Sequence, residues 1–170
     1  SSAASTFNWS NYAHLYTAAE LSSIAGGSTI TNIEWLKASA GQVTGANNTF
    51  EVWLENTGAS SLTSGTTWGT LTSTATQVYS SATQDVVGAI DTYFGVATTP
   101  FTYTGGNLLV LCRWVKAGTA SASVPFYTNV STGKAIGIAS GSATTAATAL
   151  QNVSYGDNRP TVRFTYVAGS

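Results

Sequence analysis

The stretch NLLVLCRWV, residues 107–115, is apolar at nearly every position, and its reading decides the fold. Successive side chains of a strand point to opposite faces, so a run apolar on both faces marks a central strand covered above and below. Outward from it, two-residue alternation recurs. In TFEVWLE (49–55), Phe50, Val52 and Leu54 take one face while Glu51, Trp53 and Glu55 take the other. In PTVRFTYVA, Val162, Phe164 and Tyr166 lie opposite Thr161, Arg163 and Thr165. ITNIEWLKA (30–38) carries apolar residues on both faces, and further strands are expected at 5–11, 72–80, 92–97, 122–129 and 133–139. With Gly, Ser and Asn turns between them, these predict an all-β fold: a two-sheet antiparallel β-sandwich of jelly-roll type.

Residues 56–76 hold few large apolar side chains beyond Leu62, Trp68 and Leu71 and read as a long loop or irregular edge; 139–150 reads as loop or weak strand. No repeat of 20–50 residues is visible, so residues 1–170 read as one domain. One stretch stands apart. Thr17 and Glu20 have the spacing of a capping box, with Tyr16 and Leu21 placed as its hydrophobic staple. Glycines in AGG (25–27) stop the turn. The expectation is one short capped helix, about residues 17–24, plugging an end of the sandwich, with the Glu20 carboxylate held by backbone rather than free for catalysis.

Charged residues make up 8% of the chain, against about 25% in ordinary domains. The six basic residues are scattered and the net charge is -1. Nucleic acid and anionic membrane are therefore excluded as partners, since both need clustered Lys and Arg. A nearly neutral surface favours association instead. Cys112, the single cysteine, lies within the central apolar run and reads as a buried, inert thiol. No apolar run approaches the ~20 residues that span a bilayer. The small-residue start SSAAS, without an initiator methionine, is expected of a secreted chain after signal-peptide removal.

Catalytic constellations are missing. His14 is the sole histidine, no second His or nearby Cys completes a zinc set, and no Gly-x-Ser-x-Gly elbow occurs. AGG and TGG precede strands and read as turns. No catalytic residue, metal or cofactor is expected; calcium at Asp85, Asp91 or Asp157 finds no dense ligand spacing. Glu51, Trp53 and Glu55 share a strand face, an indole between two carboxylates, which suits a sugar-binding surface. Those carboxylates stand roughly 13 Å apart at the rise of a strand, beyond the ~5–9.5 Å of glycosidase pairs, so binding is favoured over hydrolysis. Trp68 is a second candidate. The plainer alternative is an outer face whose Trp a loop or neighbouring subunit covers.

Four phrases in order, LYTAAEL…GGSTITNIEW, TPFTYTGGNLLV, SVPFYTN and DNRPTVRFTY, resemble a β-sandwich domain of secreted and surface proteins of Bacteroidetes, over residues 12–166. The resemblance implies an extracellular, non-catalytic module serving surface structure, adhesion or polymer binding, and it transfers no catalytic residue. This chain departs from that pattern in standing alone, without a sorting domain or attached enzyme, and in lacking a cysteine pair near its end. Together these readings predict a non-enzymatic structural or adhesive protein whose partners are copies of itself, joined into a surface filament or layer. Residues 1–11 would be a donor or edge strand, with Phe7 and Trp9 filling pockets of the next subunit. The alternatives are a polysaccharide-binding module using Glu51, Trp53, Glu55 and Trp68, or a phage or virion fibre component.

Overall fold

The computed structural model describes residues 8–45, 47–116, 124–152 and 157–170. It is an all-β antiparallel sandwich with one short helix. In chain order the elements are β1 (Trp9–Tyr16), β2 (Thr29–Leu36), β3 (Asn48–Thr57), α1 (Trp68–Thr72), β4 (Thr76–Ser81), β5 (Tyr93–Thr102), β6 (Asn107–Lys116), β7 (Thr128–Val130), β8 (Ala135–Ser140), β9 (Asn158–Pro160) and β10 (Val162–Val167). A five-stranded sheet runs β4-β3-β6-β1-β8 and a three-stranded sheet runs β10-β2-β5; β7 and β9 form a small ribbon. The chain changes sheet between β1 and β2, β2 and β3, β4 and β5, and β5 and β6, the winding of a jelly roll.

NLLVLCRWV became β6, paired on both sides, to β3 and β1. Its apolar residues divide between two cores. Leu108, Val110, Cys112 and Trp114 join the core between the sheets, while Leu109 and Leu111 join a second cluster on the outer face. The first core centres on an aromatic stack in which Phe50 lies 4.1 Å from Trp114 and 5.5 Å from Trp35. β2 looked irregular in sequence because its register shifts between Ile30 and Asn32; the shift lets Ile30 and Ile33, three apart, both face inward.

The helix lies elsewhere than expected. Residues 17–24 form hydrogen-bonded turns. The capping box does form: the Thr17 amide donates to Glu20 Oε2 at 2.8 Å and the Glu20 amide to Thr17 Oγ1 at 3.3 Å. One helical turn closes, Leu21 N–H to Thr17 C=O, and then Ile24 N–H bonds the Leu21 carbonyl three residues back. Leu21 and Ile24 are anchored in the core at that point. A single turn held by its cap and its packing does not propagate. The true helix, α1, lies inside the stretch read as loop. Thr67 caps it by accepting from the Thr70 amide, and its Trp68 and Leu71 are buried.

That stretch is a lid. It pairs with the other plain segment through Trp68 N–H to Thr148 C=O, Gly69 N–H to Ala146 C=O and Leu150 N–H to Thr66 C=O. A Cβ on Gly69 would stand 2.9 Å from the Ala146 carbonyl oxygen, so only glycine permits the approach. Together the two segments cover Ala13, Leu15, Leu109, Leu111 and Ile136 on the outer face of the five-stranded sheet.

Candidate functional site

The three-stranded sheet is two strands narrower than the sheet beneath it and ends at β10. Among the described residues, no backbone group bonds β10 on the side away from β2. Beside that free edge opens a cleft of about 410 Å³. Its apolar wall comes from Tyr16, Leu21 and Ile24 below and from Val162, Phe164 and Tyr166 on the inward face of β10. Phe164 meets the Tyr16 ring edge-on at 6.1 Å.

The polar groups of the cleft are already engaged with one another. Arg159, whose side chain is 4% exposed, pairs through both terminal nitrogens with Glu20. It also donates to the Leu15 carbonyl and to Asn129 Oδ1 and lies over the Tyr16 ring, 4.5 Å from its centre. The Tyr16 hydroxyl donates to the Pro160 carbonyl at 2.8 Å, and the Tyr166 hydroxyl to the Ser23 carbonyl at 2.7 Å. Hydrogen bonds from the Arg159 guanidinium, seconded by those of Thr17, hold the Glu20 carboxyl down at about 2. Burial pushes the Tyr16 hydroxyl well above its ordinary range. Apart from the buried Arg159 Nε, what the cleft leaves unclaimed is ring surface and a strand edge.

The residues singled out in sequence fall elsewhere. Trp9 opens β1, opposite Val115 and Ser140, with the Arg113 guanidinium over its ring at 5.5 Å. It is held in a strand paired on both sides, to β6 and β8, and so is not a free donor residue. Phe7 lies outside the described residues. Glu51, Trp53 and Glu55 do share the outer face of β3, with Val52 and Leu54 buried behind them. Glu51 is paired with Arg113 at 3.3 Å and accepts from Gln77. Trp53, however, is half-buried against Trp68, ring centres 5.4 Å apart and nearly perpendicular. Trp68 itself is 6% exposed. Neither indole presents the open plate a sugar needs; the lid covers both.

His14 is buried on β1, stacked on Tyr12 at 5.9 Å, and burial lowers its imidazole to about 3. Asp85 accepts from the Gly45 amide and Asp157 from the Gly133 amide, while Asp91 takes the Tyr127 hydroxyl. The three are tied to separate loops, and among the described residues no group of three His, Cys, Asp or Glu side chains could hold a metal ion. No helix among them is long and apolar enough to cross a membrane. Sequence reading missed Arg159, Asn129 and Tyr166 as site residues. The only signal for them was the clustering of DNRPTVRFTY beside a strand pattern.

No protein-family model matches the chain, and no curated protein matches it. Among solved structures, its fold is similar to that of the cysteine protease and lectin-like domains of Cwp84, a surface layer associated protein of Clostridium difficile. The TM-score is 0.55 at 7% identity, and the match covers 95% of this chain and 33% of that one. The chain thus spans about a third of the length of that protein's solved chain, and the likeness is one of fold.

Proposed function

We propose that this protein is a non-enzymatic structural or adhesive module of the cell exterior, exported with removal of a signal peptide, that joins copies of itself by strand addition. An extended segment of one copy lies along the free edge of β10 in the next. The observation that carries this reading is the cleft itself: an open strand edge over an aromatic floor whose charged groups are internally paired. A saccharide would seek free donors and acceptors there; a strand seeks an edge and pockets. The donor is the segment ahead of β1, with Phe7 as its pocket residue. The chain enters β1 beside Lys116, whose amide bonds the Asn8 carbonyl, whereas the cleft sits at the Tyr16 end. Eight residues of strand separate the two ends by roughly 23 Å. The end of β1 from which the proposed donor leaves is thus remote from its own cleft, and this reading assigns Phe7 to the cleft of a neighbour. Such head-to-tail contacts build an open filament where the rotation from copy to copy does not close a ring. Placement outside the cell is supported by the low-charge, hydroxyl-rich composition and by a fold neighbour described as surface layer associated.

Size-exclusion chromatography and negative-stain microscopy over rising concentration test the reading. The full chain should form rods or very large species, and the chain lacking residues 1–7 should stay monomeric with an unchanged melting curve. A full chain that remains monomeric overturns the reading; a truncated chain that still assembles overturns the choice of donor.

A further inference from the structure

A second feature lies on the outer face of the three-stranded sheet. Tyr93 of β5 is directly opposite Leu36 of β2. On the other side of Leu36, Tyr127 donates its amide to the Leu36 carbonyl, and the neighbouring pair Lys37 and Phe126 sets the register. Residues directly opposite share a face, so Tyr93, Leu36 and Tyr127 form one row. Two strand spacings put the tyrosines on the order of 10 Å apart, the span of two linked pyranose rings. Both are exposed, at 36% and 39%, with Ile90 of the adjoining loop at 48%.

The row is flanked by fixed polar groups. Asp91, in a left-handed backbone conformation at φ 63°, takes the Tyr127 hydroxyl at 2.7 Å on one carboxylate oxygen. Arg163 lies over the Tyr93 ring at 3.9 Å and donates through Nε and one terminal nitrogen to Glu34. A Cβ on Gly95 would fall 2.7 Å from Glu34 Cγ, so glycine is what lets that pair lie flat against the sheet. The loop carrying Ile90 and Asp91 is braced from beneath. The fully buried Lys37 donates its ammonium to the Gly88 carbonyl and its amide to the Thr92 carbonyl, and its own carbonyl accepts from the Asp91 amide. A buried cation and a strained aspartate both serve to hold exposed apolar residues in place, the mark of a preorganised surface site rather than an idle loop.

We infer that the Tyr93–Leu36–Tyr127 row is a binding platform for a neutral, β-linked polysaccharide. Sugar rings lie along the row, one against the Tyr127 ring and the other against the planar Arg163 guanidinium that covers Tyr93. Their hydroxyls donate to the second Asp91 oxygen and accept from the remaining Arg163 nitrogen. The charges of the platform, Lys37 and Arg163 against Asp91 and Glu34, cancel, which fits an uncharged ligand. Tyr93 and Arg163 also border the β10 cleft, so the platform adjoins it, and it moves the sugar-binding alternative from the lidded Trp53 to the opposite face of the sandwich.

The test is retention of the full chain on amorphous cellulose, chitin and insoluble β-1,3-glucan, with melting curves alongside. Wild type should be retained on at least one. The double variant Tyr93→Ala with Tyr127→Ala should bind that polymer at least tenfold more weakly. Val167→Ser, which removes an exposed side chain at the far end of the same sheet, should bind as wild type. Failure of wild type on all three polymers overturns the inference. So does a smaller effect of the double variant, or an equal loss in Val167→Ser.

Discussion

Arg159 is the side chain whose removal is most informative about the cleft. It ties three parts of the chain together: the end of β1 through the Leu15 carbonyl, the 17–24 turn through Glu20, and β7 through Asn129. Arg159→Met keeps much of the apolar stem and removes every one of those bonds. Breaking one partner of a buried ion pair costs about 3–5 kcal/mol. Here the Glu20 side chain is 41% exposed and rehydrates when released, which argues for the lower end, about 3 kcal/mol. In a domain of this size each kcal/mol is roughly 2–4 °C of melting temperature, so Arg159→Met should melt roughly 6–12 °C below wild type. The pH dependence has a definite sign. The folded Glu20 carboxyl lies at about 2, below its ordinary 4.5. Its contribution is therefore complete above 4.5 and is lost as pH falls through about 2. Arg159→Met releases that carboxyl to its ordinary range and has nothing to lose in the same window. Urea unfolding at pH 7 and pH 3 should thus show the gap between the two proteins narrowing by about 1 kcal/mol after allowance for solvent screening. A gap under about 1 kcal/mol at pH 7, or one that widens toward acid, would refute the account of the clamp.

Two further outcomes follow from the cores. Trp68→Ala should cost about 3–5 kcal/mol in urea unfolding, as a buried indole does, and more than Trp53→Ala, which loses only a half-buried one; equal, small effects would mean that the lid does not pack as described. The His14 imidazole, lowered to about 3 by burial and by the nearby Arg159 charge, should show no NMR titration between pH 8 and 4 in the folded protein. Because the unfolded chain binds that proton from about pH 6.5 downward and the folded chain does not, stability should fall with acid there; His14→Gln should flatten the slope, and a folded-state midpoint near 6.5 would defeat the reasoning.

Short-range pattern carried the strands well and the site poorly, for a physical reason. The faces of β3 and β6 follow from a period of two that any window of seven residues displays. The Thr17–Glu20 box is equally local, and it formed; whether its turn grew into a helix depended on Leu21 and Ile24 reaching a core built by distant strands. Trp68 shows the converse. Nothing in TTWGTLT marks a buried indole, because its cover comes from residues 144–150. The ion pairs were beyond any local reading: Arg159 and Glu20 are 139 residues apart, Arg163 and Glu34 are 129 apart, and Arg113 and Glu51 are 62 apart.

Those separations bear on function. Every arginine of this chain is joined to a glutamate from another strand or turn, so these charges act as ties between elements. A surface with so few charges and a net charge of -1 does little to steer an ionic partner or to repel a second copy. The two proposed recognition features do not depend on net charge: the strand edge at β10, and the tyrosine row whose flanking Asp91 and Arg163 are already tied to Tyr127 and Glu34. The edge suits a partner that brings main-chain bonds, and the row suits one that brings flat apolar faces with hydroxyls. A filament repeating the row at every subunit would turn weak single contacts into firm attachment, since linked sites bind with an avidity none has alone. Assembly and adhesion would then be two consequences of one economy of charge.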